Sequence, residues 1–384
     1  MKKLLGLFLA LAMSFPAGAA IVDNVEAIGR IDVIGADANR GTLPASAGSR
    51  VVAGLSADLT EDVKANVQFW YATDWDGSLA GGTLNEYQDT IRLAEANVVL
   101  SNLFDCFELT LGRQFYGDED SMTMYFGPKS GYMAAIAAQP LSLEAAKLTY
   151  ADDFKSVTLL AGKTTDDLAL TTKYNIYGAD IRLNLTDTMK AQVYGYALKD
   201  EDNAPEYQGF YGAKLAYMPE AFGFSVEAAR GHQGNRLVKE GKDTPYFVKL
   251  DASLNMDAFT PRAAFLYQKG IVSEYGSYAP GLVTGKYLTP LGNTSDVIDN
   301  ARIFNVGVDY KWNKMVFALD GFAFQDRTAQ AAATLEADLT ATYQHNESVE
   351  LFAGIGYAKL GGDLKDQFDA KDATVYQLGT TIRF

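Results

Sequence analysis

Residues 373–384 read "ATVYQLGTTIRF". Taken every second residue, Tyr376, Leu378, Thr380, Ile382 and Phe384 fall in one row, and Val375, Gln377, Gly379, Thr381 and Arg383 in the other. Successive side chains of a strand point to opposite faces, so the segment predicts a strand with one mostly apolar face and one mixed face. Termini usually fray. A strand running to the final residue needs a neighbour, and closing the sheet against the first alternating segment, 25–36, supplies one.

The same alternation recurs along the chain and predicts eighteen strands. The number falls to sixteen if segment 144–151 and a neighbour are not strands. The connections alternate in length. Short ones such as "DDF", "TDT" and "WNK" separate long ones near 37–48, 74–87, 116–143 and 270–300. Transmembrane barrels are built this way, with short periplasmic turns and longer outer loops. No composition shift cuts the chain after its first residues, so a single domain over 20–384 is expected.

Face assignment tests the reading. In 332–343, Ala333, Leu335, Ala337, Leu339, Ala341 and Tyr343 oppose Thr334, Glu336, Asp338, Thr340 and Thr342. In 301–312, Phe304, Val306, Val308, Tyr310 and Trp312 oppose Asn305, Asp309 and Lys311. Backbone groups in lipid must all pair within the protein, which only a helix or a closed barrel achieves. A charge facing lipid near the midplane costs about 2–4 kcal/mol, which explains the segregation of charge to one face. The polar face then lines a wet lumen. Two strands fit less well. In 88–100, Ile91 and Leu93 share a row with Glu95, which predicts a bulge. In 107–115, Arg113 shares the row of Phe107, Leu109 and Leu111, so it lies above the apolar band or the strand bends there.

The first residues are of another kind. In "MKKLLGLFLALAMSFPAGAA", Lys2 and Lys3 precede an apolar stretch from Leu4 to Met13 and an A-x-A site at Ala17-Gly18-Ala19. This pattern predicts a secretory signal peptide over residues 1–19, too short for a spanning helix. Its removal takes the formal net charge from −15 to −17, because two lysines and no acid leave. So acidic a protein is no partner for nucleic acid, which needs a basic face. A single cysteine, Cys106, excludes an intrachain disulfide. His232 and His345 are the only histidines, and no nucleophile triad, H-E-x-x-H or phosphate loop accompanies them. No enzyme, metal or cofactor is expected.

The stretch "LTLGRQFYG" (Leu109 to Gly117) leads into a long loop. That loop opens with Asp118, Glu119 and Asp120 and continues through Tyr125 to Gly127-Pro128-Lys129. Here the chain resembles the general bacterial porins and their sugar- and acid-selective relatives. The likeness extends over its whole architecture, although the Pro-Glu-Phe-Gly-Gly sequence common in such loops is absent. The resemblance implies an outer-membrane barrel surrounded by lipid, with the third loop folded into the lumen. Asp118, Glu119, Asp120, Tyr125 and Lys129 would then form a constriction opposite basic wall residues, with Arg30, Arg50, Arg92, Arg113, Arg182 and Arg262 as candidates. It also implies a frequent homotrimer. Tyr376, Leu378, Ile382 and Phe384 would form the terminal strand signal read by the barrel-assembly machinery.

The functional expectation is passive diffusion of small hydrophilic solutes and ions. The lumen charges balance on the wall, so the net negative charge resides in loops and turns and gives a weak cation preference that salt screens. The alternatives are a channel selective for sugars or organic acids, and a non-conducting structural or adhesive barrel.

Overall fold

The computed structural model describes residues 23–39, 46–75, 91–129, 131–132, 142–164, 174–200, 207–232, 244–270, 272–273, 275–288, 300–326, 332–367 and 369–384. The signal-peptide reading of residues 1–19 falls outside them. The strands are β1 (Asp23–Ala38), β2 (Ser46–Thr60), β3 (Val63–Asp74), β4 (Arg92–Leu103), β5 (Phe107–Gln114) and β6 (Leu143–Ala151). They continue with β7 (Lys155–Thr164), β8 (Tyr174–Asn184), β9 (Met189–Asp200), β10 (Tyr207–Tyr217), β11 (Phe222–Gly231) and β12 (Tyr246–Leu254). The last six are β13 (Phe259–Lys269), β14 (Ala301–Trp312), β15 (Met315–Asp326), β16 (Thr334–Gln344), β17 (Val349–Lys359) and β18 (Asp372–Arg383).

These form one 18-stranded sheet in which each strand pairs antiparallel with the next. The sheet closes where Ile31 lies opposite Ile382 and Val33 opposite Thr380. Beyond the last paired residues, Gly29 N donates to Phe384 O at 2.8 Å and Phe384 N to Gly29 O at 3.1 Å. Closure removes the sheet edges that would otherwise stand unpaired in lipid. The terminal segment is therefore a seam. Segment 144–151, on which the sixteen-strand alternative rested, is β6 and pairs along its length with β5 and β7.

The bulge expected in the fourth strand sits at Ala94. Gln68 pairs with Glu95 and Phe69 with Leu93, so one extra residue restores Glu95 to the inner face. There it accepts hydrogen bonds from Gln68 and from the Phe115 backbone.

Burial follows the alternation. Leu335 and Leu339 are exposed on the outer face of β16, while Thr334, Glu336 and Asp338 between them are buried. Val306, Val193 and Leu378 are likewise bare on the outside, where lipid would cover them. Aromatic rings collect at strand ends. Tyr217 packs against Phe222, and Phe259 and Phe317 each pack against Tyr310, at the short-turn end, and Tyr177 and Tyr211 stand exposed toward the long-loop end. Such girdles mark the two membrane interfaces.

Candidate functional site

The inner face is not an open tube. The third loop leaves β5 at Gln114 and pairs with itself through Tyr116–Gly117 and Tyr125–Phe126. Ser121 Oγ accepts from the Thr123 and Met124 amides, turning the chain tightly. Met122, Met124 and Phe126 are then buried among inner-row residues of β8 to β15, including Tyr174, Tyr196, Phe210 and Phe324. The apolar content of this loop accounts for the inward fold, since those side chains leave water only by entering the lumen.

A second loop enters, which sequence reasoning did not assign. The seventh loop, after β13, joins the third through a parallel bridge between Met124 and Tyr275. Tyr125 N donates to Tyr275 O at 2.8 Å, Ser277 N to Ser121 O at 2.8 Å, and Ser273 Oγ to Thr123 O at 2.5 Å. Phe126 stacks on Tyr275 with ring centroids 4.9 Å apart. The chain continues into a π-helical segment, Gly281–Leu288, seated on β16, β17 and β18.

The seat is electrostatic and steric. Asp338 Oδ2 accepts from Leu282 N at 2.7 Å, and Glu336 accepts from Val283 N at 2.7 Å and Thr284 N at 2.9 Å. These carboxylates satisfy amides that a helix start leaves without intrahelical partners. Gly281 turns the chain at φ +78°, and a Cβ there would lie 2.7 Å from Glu336 Oε1. A Cβ at Gly356 would lie 2.7 Å from Val283 Cγ2, so β17 makes room for the segment. Leu282, Val283, Tyr287 and Leu288 pack with Ile34, Ala358, Ala373 and Val375. A signal for this seat was present in the sequence. Glu336 and Asp338 lie on an inner row whose directly opposed residues are Phe322, Ala358, Asp320 and Gly356, none of them a cation.

The expected wall residues divide by their partners. Arg50 Nη2 meets Asp32 Oδ2 at 2.6 Å, and Arg30 Nε meets Asp32 Oδ1 at 2.7 Å. Arg262 meets Asp320 at 2.6 Å and Asp309 at 3.1 Å. Arg92 lies on the inner face opposite Trp70. Arg182 bridges wall and loop, with Asp180 at 3.3 Å and Asp118 at 3.1 Å. Arg113 is a correction, because it is not a pore-wall residue. It shares the outer row with Leu111, lies opposite Ala96 and Glu144, and meets Glu144 at 2.9 Å on the outer surface. The strand is distorted beside it, since Gly112 has φ +117° and a Cβ there would collide with the Ala96 carbonyl. Arg113 stands at the long-loop end of β5, above the apolar band.

The loop residues sit in a graded field. Burial pushes the Lys129 ammonium down to about 8, while Glu119 opposes the shift. Burial pushes the Tyr125 and Tyr132 hydroxyls up, and the Glu119 charge adds to it. Tyr116 is pushed up to about 12 by burial, eased by its 2.8 Å hydrogen bond with Tyr196. Asp120 and Asp251 add to the burial that raises Tyr278.

The space left beside the third loop is a cavity of about 840 Å³. Its walls carry the cations Lys147, Arg182, Lys214 and Lys249 and the anions Glu108, Asp180, Glu227 and Asp251, and the loop adds Asp118 and Asp120. Lys249 also lies 4.7 Å from the centroid of the Tyr278 ring. Opposed charges across a narrow wet passage make a transverse field that orients polar solutes and sorts ions.

The model of the Gram-negative porin family matches residues 6–363. The chain belongs to the Gram-negative porins. Solved porin structures have the same fold. Pseudomonas aeruginosa OccK5 (OpdH) superposes with a TM-score of 0.63 at 13% identity, covering 95% of this chain and 100% of that one. Pseudomonas aeruginosa OpdK, solved with vanillate, gives 0.65 at 12% identity, covering 94% and 98%. Acinetobacter baumannii OccAB1 gives 0.66 at 11% identity, covering 95% and 97%. No curated protein matches the sequence. This porin is an outer-membrane channel, and its closed sheet, wet inner face and apolar outer face are the physical form of that role.

Proposed function

We propose that this porin passes small hydrophilic solutes and ions passively, with a weak preference for cations. The observation that carries the reading is the cavity beside the third loop. Four of its charged lining residues are basic and six acidic, so the passage is narrow, wet and mildly negative. Reversal potentials in a KCl gradient test it. Positive selectivity that shrinks with salt is expected, and anion preference would overturn it.

Selectivity for an organic acid is the second reading. Lys147, Arg182, Lys214 and Lys249 stand on alternate strands β6, β8, β10 and β12, a succession of cations along one wall of the cavity. Vanillate, found with OpdK, is a carboxylate of the kind such a wall would steer. Block of single-channel current by added aromatic and aliphatic carboxylates, against neutral sugars of equal size, separates the two readings. We further propose that Arg182 with Asp118 forms the constriction, and that Tyr376, Leu378, Ile382 and Phe384 present the assembly signal. The first three of these side chains share the outer row of the closing strand.

A further inference from the structure

Beneath the seventh loop lies a smaller cavity, of about 330 Å³. Its wall is one lateral row across five strands. Ser225, Asp251, Ala264, Asn305 and Phe322 stand directly opposite one another in turn from β11 to β15. Ala264, at the centre of the row, has the shortest side chain, and the hollow lies over it. Tyr278 and Pro280 of the seventh loop close the other side. The cavity meets the larger one at Met218, Ser225 and Asp251, which line both. A solute in the passage therefore reaches it by way of Asp251.

Among the described residues the charged side chains lining this cavity are Asp251 and Arg262, and their partners make them unequal. Arg262 meets Asp320 at 2.6 Å and Asp309 at 3.1 Å, so its charge is already outweighed. A Cβ at Gly307 would press on Arg262 Cζ, so the guanidinium lies along the wall over that glycine. Asp251 differs. Ser225 Oγ donates to its Oδ2 at 3.1 Å, and Lys249 Nζ lies 3.4 Å from the same oxygen. Among the described residues its Oδ1 has no hydrogen-bond partner, and the side chain is partly exposed. Lys249 belongs to the larger cavity and lies 4.7 Å from the centroid of the Tyr278 ring, so Tyr278 stands between that ammonium and the smaller cavity. Asp251, Asp309 and Asp320 against Lys249 and Arg262 sum to −1. A carboxylate guest would have to draw Arg262 away from two aspartates, whereas an ammonium finds an open carboxylate oxygen.

We propose that this cavity is a binding subsite for arylalkylamines, solutes that carry a primary ammonium a short chain away from an aromatic ring. The ammonium donates to Asp251 Oδ1, and the ring packs on Phe322 beneath Tyr278. Strands lie about 4.8 Å apart, so Asp251 and Phe322, three strands from each other, have backbones roughly 14 Å apart. Both side chains line the hollow over Ala264, and the span left between them fits such a molecule lengthwise. The inference rests on the passive passage proposed above and names a solute class for it. It does not depend on the bulk cation preference, which belongs to the larger cavity.

The test titrates the whole barrel in detergent with tyramine, with binding read by calorimetry. Hydroxyphenylpropionate has the same ring with a carboxylate in place of the ammonium, and n-butylamine keeps the ammonium without the ring. Tyramine should bind about tenfold more tightly than the acid and several-fold more tightly than n-butylamine. Asp251→Asn keeps an acceptor for Ser225 and should weaken tyramine about tenfold, because a charge-assisted hydrogen bond becomes a neutral one. Phe322→Leu should remove the margin of tyramine over n-butylamine. Heat-shifted mobility on gels confirms that both variants are folded barrels. Equal affinity for tyramine and the acid in the parent, parental tyramine affinity in Asp251→Asn, or a full margin over n-butylamine in Phe322→Leu overturns the proposal. Calorimetry needs no current, so the two readings fail separately. A barrel that binds tyramine as expected but carries no KCl current overturns passive passage and supports the site. A barrel that conducts KCl but does not bind tyramine overturns the site alone.

Discussion

Asp118 Oδ2 accepts a hydrogen bond from Arg182 Nη2 at 3.1 Å, joining the third loop to the wall of β8 across the lumen. Both side chains are more than half exposed, so the pair adds at most about 1 kcal/mol to stability. Its effect lies in the field. Asp118→Asn removes one negative charge from a passage with four cations and six anions. The variant should fold normally and show a smaller potassium-over-chloride ratio in reversal-potential measurements. An unchanged ratio would place Asp118 outside the ion path.

The seventh loop depends on two carboxylates. Glu336 accepts two backbone amides of the π-helical segment and Asp338 a third. Leaving a buried amide without its acceptor costs about 1–3 kcal/mol, and Glu336 holds two, so Glu336→Ala should release the segment from its seat. Gly281→Ala should do the same by a different route, because its Cβ would press on Glu336 at a φ that side chains resist. The barrel ladder is untouched in both variants. Higher and noisier unitary conductance is expected, with little change in the unfolding temperature. A current of parental size in both would mean that this segment does not narrow the passage.

The barrel was legible in the sequence because lipid enforces one rule on every strand. An outward charge costs energy, so period-two segregation had to be clean, as it is at Leu335 and Glu336. Even the irregular strand announced itself, since Glu95 was out of phase by the one residue that Ala94 adds. The lumen follows no comparable rule. Its charges pair where geometry allows, so Arg30 and Arg262 looked like Arg182 yet are joined to the wall carboxylates Asp32, Asp309 and Asp320. Arg113 was misleading in another way. Its alternation put it on the outer row, and that local reading outweighs its likeness to a wall residue. The inward seventh loop was hidden because loop residues carry no periodicity. Its trace lay on the wall, in the uncompensated Glu336 and Asp338.

Lys129 makes selectivity depend on pH. Burial lowers its ammonium from the usual 10.5 to about 8 in the folded protein. Near neutral pH it is charged, and it loses the proton as pH rises through about 8. Cation preference should therefore rise between pH 7 and 9. Stability should rise as well from about 8 toward 10.5, because the unfolded chain still holds the proton that the folded chain has released. Lys129→Met should remove both inflections. A parental pH profile in that variant would show that another group titrates in the range.

Phe384 serves the seam through its backbone and offers its ring to the outside. Two backbone hydrogen bonds with Gly29 close the barrel at its end, while the side chain is half exposed. These roles separate by substitution. Phe384→Ala keeps both backbone bonds and removes only the ring, so refolding into detergent micelles should proceed at the parental yield. If the ring with Tyr376, Leu378 and Ile382 is read by the assembly machinery, the same variant should reach the outer membrane of cells at a much lower level. Deleting Phe384 removes the bonds too and should impair both measurements. Equal loss of Phe384→Ala in micelles and in cells would assign the residue to closure of the barrel alone. Parental levels in cells would end its assignment as a signal.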